Sequence, residues 1–356
     1  MTLPRINSYT NWGRLQEVWL GDCYPAHFYD HLEPEIRDCF RRITEITQED
    51  LFIIQKKLEE FGVVVRRPQY TQVEDYLQPR GANNIKQLIK PQICPRDYYV
   101  VYGNMLYGEK YHIGPWQSVI DEYAQNPSNQ LVFLENKKHI GNVIGANAVR
   151  AGRDVYLDIM NRWHSETAQQ EYDATVAPYF ADARVHLLGN GGHVDSCFAI
   201  AKPGLLITSK YFDDYDRTFP GWKKINITNP EFGHGYPRGK QRSGPAVNGK
   251  FYMPGITDKK SFNDHVIQHA LDWVGDYTET FFEVNCLVLD ENNIMMMGHN
   301  PGVFAELQRQ GMTVHSMPFR TRTFWDGGLH CITLDIRRDD SPVDLFPERT
   351  EKLYTY

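Results

Sequence analysis

Short apolar runs, turns containing Gly or Asn, and single helices alternate along this chain. Residues 17–21, Glu-Val-Trp-Leu-Gly, read as a strand ended by a glycine. Between residues 47 and 61, Leu51, Ile54, Leu58 and Phe61 fall at helical spacing, which predicts an amphipathic helix. Gly62 supplies its stop, and the valine run at 63–67 reads as a strand halted by Pro68. Three strand pairs then recur: 98–102 with 105–107 across Gly103-Asn104, 196–200 with 205–209 across Lys202-Pro203-Gly204, and 286–289 with 294–297 across 290–293. The third leads into a helix at 303–310, Gly311 and a strand at 313–317, with His299-Asn300 as the loop that caps the helix after Pro301. Met295, Met296 and Met297 read as core filler on their strand.

Strand pairs interleaved with single helices predict a mixed α/β fold built from pseudo-repeats. No low-complexity tract or Gly/Ser/Pro-rich linker divides the 356 residues, so 1–356 is expected to form one domain. Composition alters this picture little. Hydrophobic residues make up 41% and charged residues 23%, as in ordinary globular proteins. A net charge of −7 argues against a nucleic-acid partner, which needs a basic face. The opening residues lack the apolar run of a secretory leader, and no stretch has the roughly 20 apolar residues of a membrane span. Cys23, Cys39, Cys94, Cys197, Cys286 and Cys331 show neither metal-ligand nor disulfide-framework spacing. They are expected to be reduced thiols, and the protein cytoplasmic.

Chemistry concentrates in a few polar segments. In Asp326-Gly327-Gly328-Leu329-His330-Cys331 a glycine pair precedes a cysteine expected at the start of a strand, open to a nucleophilic or a buried structural role. In Gly189-Asn190-Gly191-Gly192-His193-Val194-Asp195, the His and Asp stand two apart, which on a strand turns both to one side. Asp97, in Cys94-Pro95-Arg96-Asp97, heads the strand at 98–102. Arg150 and Asp154 read as structural ion-pair formers. His265 and His269, one helical turn apart, have no third ligand spaced to join them, and no phosphate-cradling glycine loop is present. No cofactor is expected.

Taken in order, these segments resemble the amidinotransferase branch of the guanidine-modifying (pentein) superfamily. The resemblance rests on residues 8–18 (Ser-Tyr-Thr-Asn-Trp-Gly-Arg-Leu-Gln-Glu-Val), Pro95-Arg96-Asp97, Arg150-Ala151-Gly152-Arg153-Asp154, His193-Val194-Asp195, and Gly327 to Cys331 followed by Thr333-Leu334-Asp335-Ile336-Arg337-Arg338. It implies a pentein α/β propeller, five ββαβ-type modules about a pseudo-fivefold axis with the site in the central cavity. It also implies Cys331 as nucleophile, His193 as general acid and base, and Asp97, Asp195 and Asn147 as substrate-binding residues. The implied substrates are a small-molecule guanidine donor, arginine, and an amine acceptor such as glycine, with ornithine and guanidinoacetate as products. No membrane partner is implied, and a homo-oligomer is compatible with it. A deiminase-type hydrolase and a retired guanidinium-binding pentein are the alternatives.

Three departures accompany the resemblance. The family's acids that orient the histidine stand where this chain has Ile144 and Asn147, and a histidine without such an acid loses its preferred tautomer and basicity. The arginine that grips the substrate carboxylate has no clear equivalent among Lys210, Arg217, Arg320 and Arg322. Thr278 and Glu279 replace two serines at the amino-acid end.

Overall fold

The computed structural model describes residues 3–134, 145–158, 177–180, 182–188, 193–208, 215–227, 253, 255–275, 283–298, 300–350 and 354–355. Chain order begins with β1 (Arg14–Leu20), α1 (Pro34–Glu60) and β2 (Val64–Arg66), then a side hairpin of β3 (Leu77–Arg80) and β4 (Ile85–Leu88). Next come β5 (Tyr99–Tyr102), β6 (Met105–Glu109), α2 (Gln117–Ala124) and β7 (Gln130–Leu134), followed by β8 (Ala148–Ala151), β9 (Asp154–Asp158) and β10 (Arg184–Leu188). β11 (Phe198–Lys202), β12 (Leu205–Thr208), α3 (Tyr215–Thr218), β13 (Lys223–Asn226) and α4 (Lys260–His269) follow. The chain finishes with β14 (Leu287–Asp290), β15 (Asn293–Met296), α5 (Pro301–Arg309), β16 (Thr313–Ser316), α6 (Arg322–Trp325), β17 (Thr333–Asp339) and β18 (Tyr354–Thr355).

One topology recurs in five separate sheets. A first strand pairs antiparallel with a second, which pairs parallel with a third: β17-β1-β2, β5-β6-β7, β8-β9-β10, β11-β12-β13 and β14-β15-β16. β18 adds to the free side of β10. The parallel step needs a crossover, and α1, α2, α3 and α5 supply it in four of the five. β5, β8 and β12 are buried along their whole length, and their positions are filled by apolar side chains except for Arg150 on β8 and Thr208 on β12.

The predicted elements are found with shifted ends. The three hairpins form, with Gly103 and Gly204 at φ +58° and +82° where their turns demand the left-handed region. α1 begins thirteen residues before the expected Thr47, because Ile36, Cys39, Phe40 and Ile43 extend the apolar stripe back to Pro34 at the first helical position. The side chain of Asn300 accepts from Val303 N at 3.1 Å and caps α5, as expected; His299 lies outside the described residues. Met295, Met296 and Met297 are fully buried.

A charge cluster joins the ends of these units. Asp335 on β17, 1% exposed, accepts from Arg96 at 2.6 Å, from Arg338 at 2.6 Å and from Arg150. Burial pushes the Asp335 carboxyl up, but Arg150, Arg338 and Arg96 outweigh it and hold it well below the usual range. Arg150 also donates to Ser8 Oγ at 2.6 Å and Val101 O at 3.2 Å, so it ties the opening segment to β5 and β17. Asp154 belongs to a second cluster, with Arg184 at 2.8 Å and His186 at 2.5 Å. Arg150 and Asp154 thus both make buried ion pairs, though not with each other.

Asp335→Asn leaves three buried guanidiniums without their shared charge. It should cost about 3–5 kcal/mol in chemical denaturation, and a loss under about 1 kcal/mol would show that backbone carbonyls hold the arginines unaided.

Candidate functional site

The predicted site residues stand in turns ahead of strands, not on the strands themselves. Asp97 ends the 3₁₀ turn Pro95–Asp97 before β5, Asn147 ends Gly145–Asn147 before β8, and Asp195 lies in Val194–Ser196 before β11, capped by His193. Cys331 lies in the turn before β17, closed by the Ile332 N–H donating to Gly328 O at 3.0 Å. Asp97 stands just ahead of β5, as expected, whereas the expectations that His193 and Asp195 share a strand face and that Cys331 starts a strand are corrected here. The charged residues that the first strands do carry, Arg150 on β8 and Asp335 and Arg338 on β17, are paired with one another, and the predicted site residues stand in the turns that feed the strands. The Asp97 turn packs against the Asn147 turn and β17, and the Asn147 turn packs against the Asp195 turn.

Cys331, 5% exposed, has its Sγ 3.5 Å from Asp195 Oδ2, to which the thiol can donate. Asp195 Oδ2 also accepts from His330 Nδ1 at 2.8 Å. Burial, with Arg96 nearby, lowers His330 to about 4, so the ring is neutral near pH 7 and its Nδ1 carries the donated hydrogen. Burial would raise Asp195, but the hydrogen bond from His330, with His193 and Arg96 nearby, brings it below the ordinary aspartate value. Asp97 goes the other way. Burial raises it to about 6, with Lys90 and His193 opposing and Asp326 and Asp195 adding to the rise. Cys331 is pushed well above the usual thiol range by burial and then by Asp195, Asp97 and Cys94.

Two carboxylate oxygens in this cluster, Asp97 Oδ1 and Asp195 Oδ1, are buried and accept no hydrogen bond among the described residues. Both adjoin the half-buried His193, whose charge acts on each. His193 makes no hydrogen bond to Cys331 in the structure. Arg96 braces the floor, its Nε donating to His330 O at 2.8 Å and Thr333 O at 2.9 Å on either side of Cys331.

The glycine pair before Cys331 has a steric cause. A Cβ on Gly327 would stand 2.6 Å from Cys94 Sγ, and one on Gly328 would stand 2.5 Å from Asn285 Oδ1. Neither has a positive φ; Asp326, at +56°, takes the left-handed conformation instead. Asn285, which sequence reasoning passed over, sits in the turn before β14. It accepts from the backbone N–H groups of His330 at 2.9 Å and Cys331 at 3.1 Å, and donates to Cys331 Sγ at 3.0 Å. Its signal was available: a polar residue between Val284 and Cys286, just ahead of a first strand. His330 and Lys90 were passed over too. Lys90 is held above the lysine range, since burial works against its charge but Cys94, Asp97, Tyr98 and Asp326 outweigh it.

Other candidates fall away or lie elsewhere. Arg320 is engaged with Asp50 at 2.8 Å and Glu49 at 2.6 Å on α1, and Arg217 is exposed on α3. Arg322 opens α6, which leads into the Gly327-Gly328 turn. Ile144, Gly189 to Gly192, Lys210, Thr278 and Glu279 lie outside the described residues. Among the described residues no group of His, Cys, Asp and Glu could hold a metal, His265 and His269 included, and no helix is long and apolar enough to cross a membrane.

In sequence, the chain is 23% identical over 325 residues to inosamine-phosphate amidinotransferase 1 of Streptomyces griseus, covering 83% of this chain and 82% of that protein. It is 24% identical over 243 residues to the mitochondrial glycine amidinotransferase of Gallus gallus, covering 65% of this chain and 46% of that enzyme. The chain resembles the amidinotransferases. No family model matches it. The fold likeness extends over nearly all of this amidinotransferase-like chain. SxtG, an amidinotransferase of the saxitoxin pathway from Microseira wollei, superposes with a TM-score of 0.66 at 17% identity, covering 96% of this chain and 99% of that one. The N-terminal domain of the cyanobacterial arginine dihydrolase ArgZ superposes at 0.52 and 15% identity, covering 90% and 97%. The fold is therefore shared by transferases and hydrolases, and the sequence likeness is to transferases.

The raised Asp97 carboxyl has a consequence for stability. Protonation of Asp97 is favoured in the folded state, so ionising it costs stability progressively as pH rises from about 4 to about 6. Asp97→Asn should therefore melt above the parent protein at pH 7 to 8, and the gap should close near pH 4. A gap independent of pH would mean that Asp97 ionises freely.

Proposed function

We propose that this chain is an amidinotransferase that moves the amidino group of arginine through Cys331 to an amine such as glycine, releasing ornithine and forming guanidinoacetate. The observation that carries this reading is the pair of unpartnered buried oxygens, Asp97 Oδ1 and Asp195 Oδ1, beside a buried thiol. A planar guanidinium offers N–H donors in a fixed fork and positive charge, which two such carboxylates are suited to bind. The sequence likeness to two amidinotransferases favours transfer over hydrolysis. In this reading the five recurring sheets surround one axis, and their feeding turns line the cavity. The six free thiols suit a cytoplasmic enzyme.

Binding of the donor changes the electrostatics of the nucleophile. Burial, and after it Asp195 and Asp97, hold the proton on Cys331. A guanidinium between them cancels that repulsion and favours the thiolate beside its own carbon. The Cys331 sulfur then forms a bond to the guanidinium carbon, and the carbon–nitrogen bond to the ornithine side chain breaks. Protonated His193 gives its proton to the departing amine. The acceptor amine next attacks the amidino carbon, loses its proton to His193, and the carbon–sulfur bond breaks to restore the thiolate. Asn147 occupies the position of an orienting acid without its charge. Arg322, on the helix that feeds the nucleophile turn, is the candidate for the substrate carboxylate.

With arginine alone, the protein should release one equivalent of ornithine and retain an amidino group on Cys331, read by intact-protein and peptide mass spectrometry. An added amine should restart ornithine release without citrulline, and Cys331→Ala should do neither. Steady citrulline formation without an amine would replace this reading with a deiminase, and no adduct with any guanidine would replace it with a binding protein. His193→Gln should lower both half-reactions by about 10²- to 10⁴-fold while leaving donor binding largely intact, as measured by single-turnover kinetics and calorimetry.

A further inference from the structure

We propose that Asn285 is a positioning residue for Cys331, its side-chain amide aligning the sulfur and holding the thiolate form through a direct N–H···S hydrogen bond. The inference rests on Cys331 being the reactive thiol of the proposed function. Three contacts define the role. Asn285 Oδ1 accepts from two successive backbone N–H groups, His330 at 2.9 Å and Cys331 at 3.1 Å. Only the oxygen can accept from both, so the amide orientation is settled and Nδ2 faces Cys331 Sγ at 3.0 Å. Gly328 leaves the space this requires, since a Cβ there would meet Asn285 Oδ1 at 2.5 Å.

The hydrogen bond discriminates between the two forms of the sulfur. A neutral thiol is a weak acceptor, whereas a thiolate accepts strongly, so an N–H fixed 3.0 Å from sulfur stabilises the charged form. It does so against opposition. Burial opposes the charge first; Asp195 then faces the sulfur from the turn before β11, and Asp97 and Cys94 act on it from the turn before β5, with His193 acting on both carboxylates. On the other side stand the Asn285 amide, which donates to the sulfur, and the Gly328 backbone, whose hydrogen bond also favours the charged form. Because the same side chain holds the backbone at 330 and 331, the sulfur and its donor move together.

The test uses the reactivity of Cys331 with iodoacetamide, followed by peptide mass spectrometry on the full chain from about pH 6 to about pH 10, with no substrate present. Asn285→Ala should shift the alkylation midpoint up by about one to two pH units, and so lower the rate near pH 8 by about ten- to a hundredfold. Thermal melting establishes that the variant is folded. Asn285→Asp is the second variant, because it keeps an acceptor for both N–H groups, removes the donor and adds charge; its midpoint should rise at least as far. A folded Ala variant whose profile coincides with the parent would overturn the proposal. If the Ala variant does not fold, an unchanged Asp profile would do so. Absence of any Cys331 labelling in the parent protein up to about pH 10 also counts against it, since the bond from Asn285 would then have failed to offset burial and the two carboxylates. The readout needs no turnover. A shifted profile in a protein that never forms an amidino adduct would sink the proposed function and leave the role of Asn285 standing.

Discussion

One buried carboxylate, Asp335, holds three arginines from distant parts of the chain, and the position of the site depends on it. Arg96 immediately precedes Asp97, Arg150 follows Asn147 by three residues, and Arg338 lies on the strand that Cys331 feeds. Removing four charges from water is costly, so the cluster persists only where every group finds partners. It does so by reaching past Asp335. Arg96 takes the carbonyls of His330 and Thr333, Arg150 takes Ser8 and Val101, and Arg338 takes Val288 O at 2.9 Å. Thr333, Val101 and Val288 belong to three separate sheets, so the cluster fixes these sheets against each other.

The cluster also shapes the electrostatics above it. Three guanidiniums against one carboxylate leave a positive surplus beneath the Asp195 and Cys331 turns. Arg96 accordingly helps keep Asp195 ionised and His330 neutral. Asp97 lies on the other side of this balance, where burial and its acidic neighbours raise it to about 6. Two carboxylates and a thiol share a space with too little positive charge to satisfy all of them. In the proposed reading, a bound guanidinium offsets this excess of negative charge. That is the physical basis for linking carboxylates, thiol and guanidine chemistry in one place.

Much of the fold was legible because its signals are local. The hairpins announced themselves through Gly103-Asn104 and Pro203-Gly204, and the helices through apolar spacing and terminal glycines. The first half of α1 carries the same signal, since Ile36, Cys39, Phe40 and Ile43 keep the helical spacing after Pro34, but the expected helix began only at Thr47. The placement of polar residues was misjudged for a different reason. Period-two reasoning assigns a side chain to a strand face, but Asp97, Asp195 and Cys331 sit in turns where that period does not hold.

What the sequence determined by itself is therefore the first strand and its helix, three hairpins, the helix after Pro301, the buried methionines, the chemical types available for a site and the resemblance to amidinotransferases carried by short ordered motifs. These follow from neighbours along the chain. The tertiary structure decided which groups meet. Arg150 pairs with Asp335 across 185 residues, His330 with Asp195 across 135, and Asn285 with Cys331 across 46. No local pattern encodes such pairs, because their energies arise from burial and from charges brought together by the packing of separate sheets. The same holds for the glycines before Cys331, whose need appears only once Cys94 and Asn285 are seen to occupy the space a side chain would take.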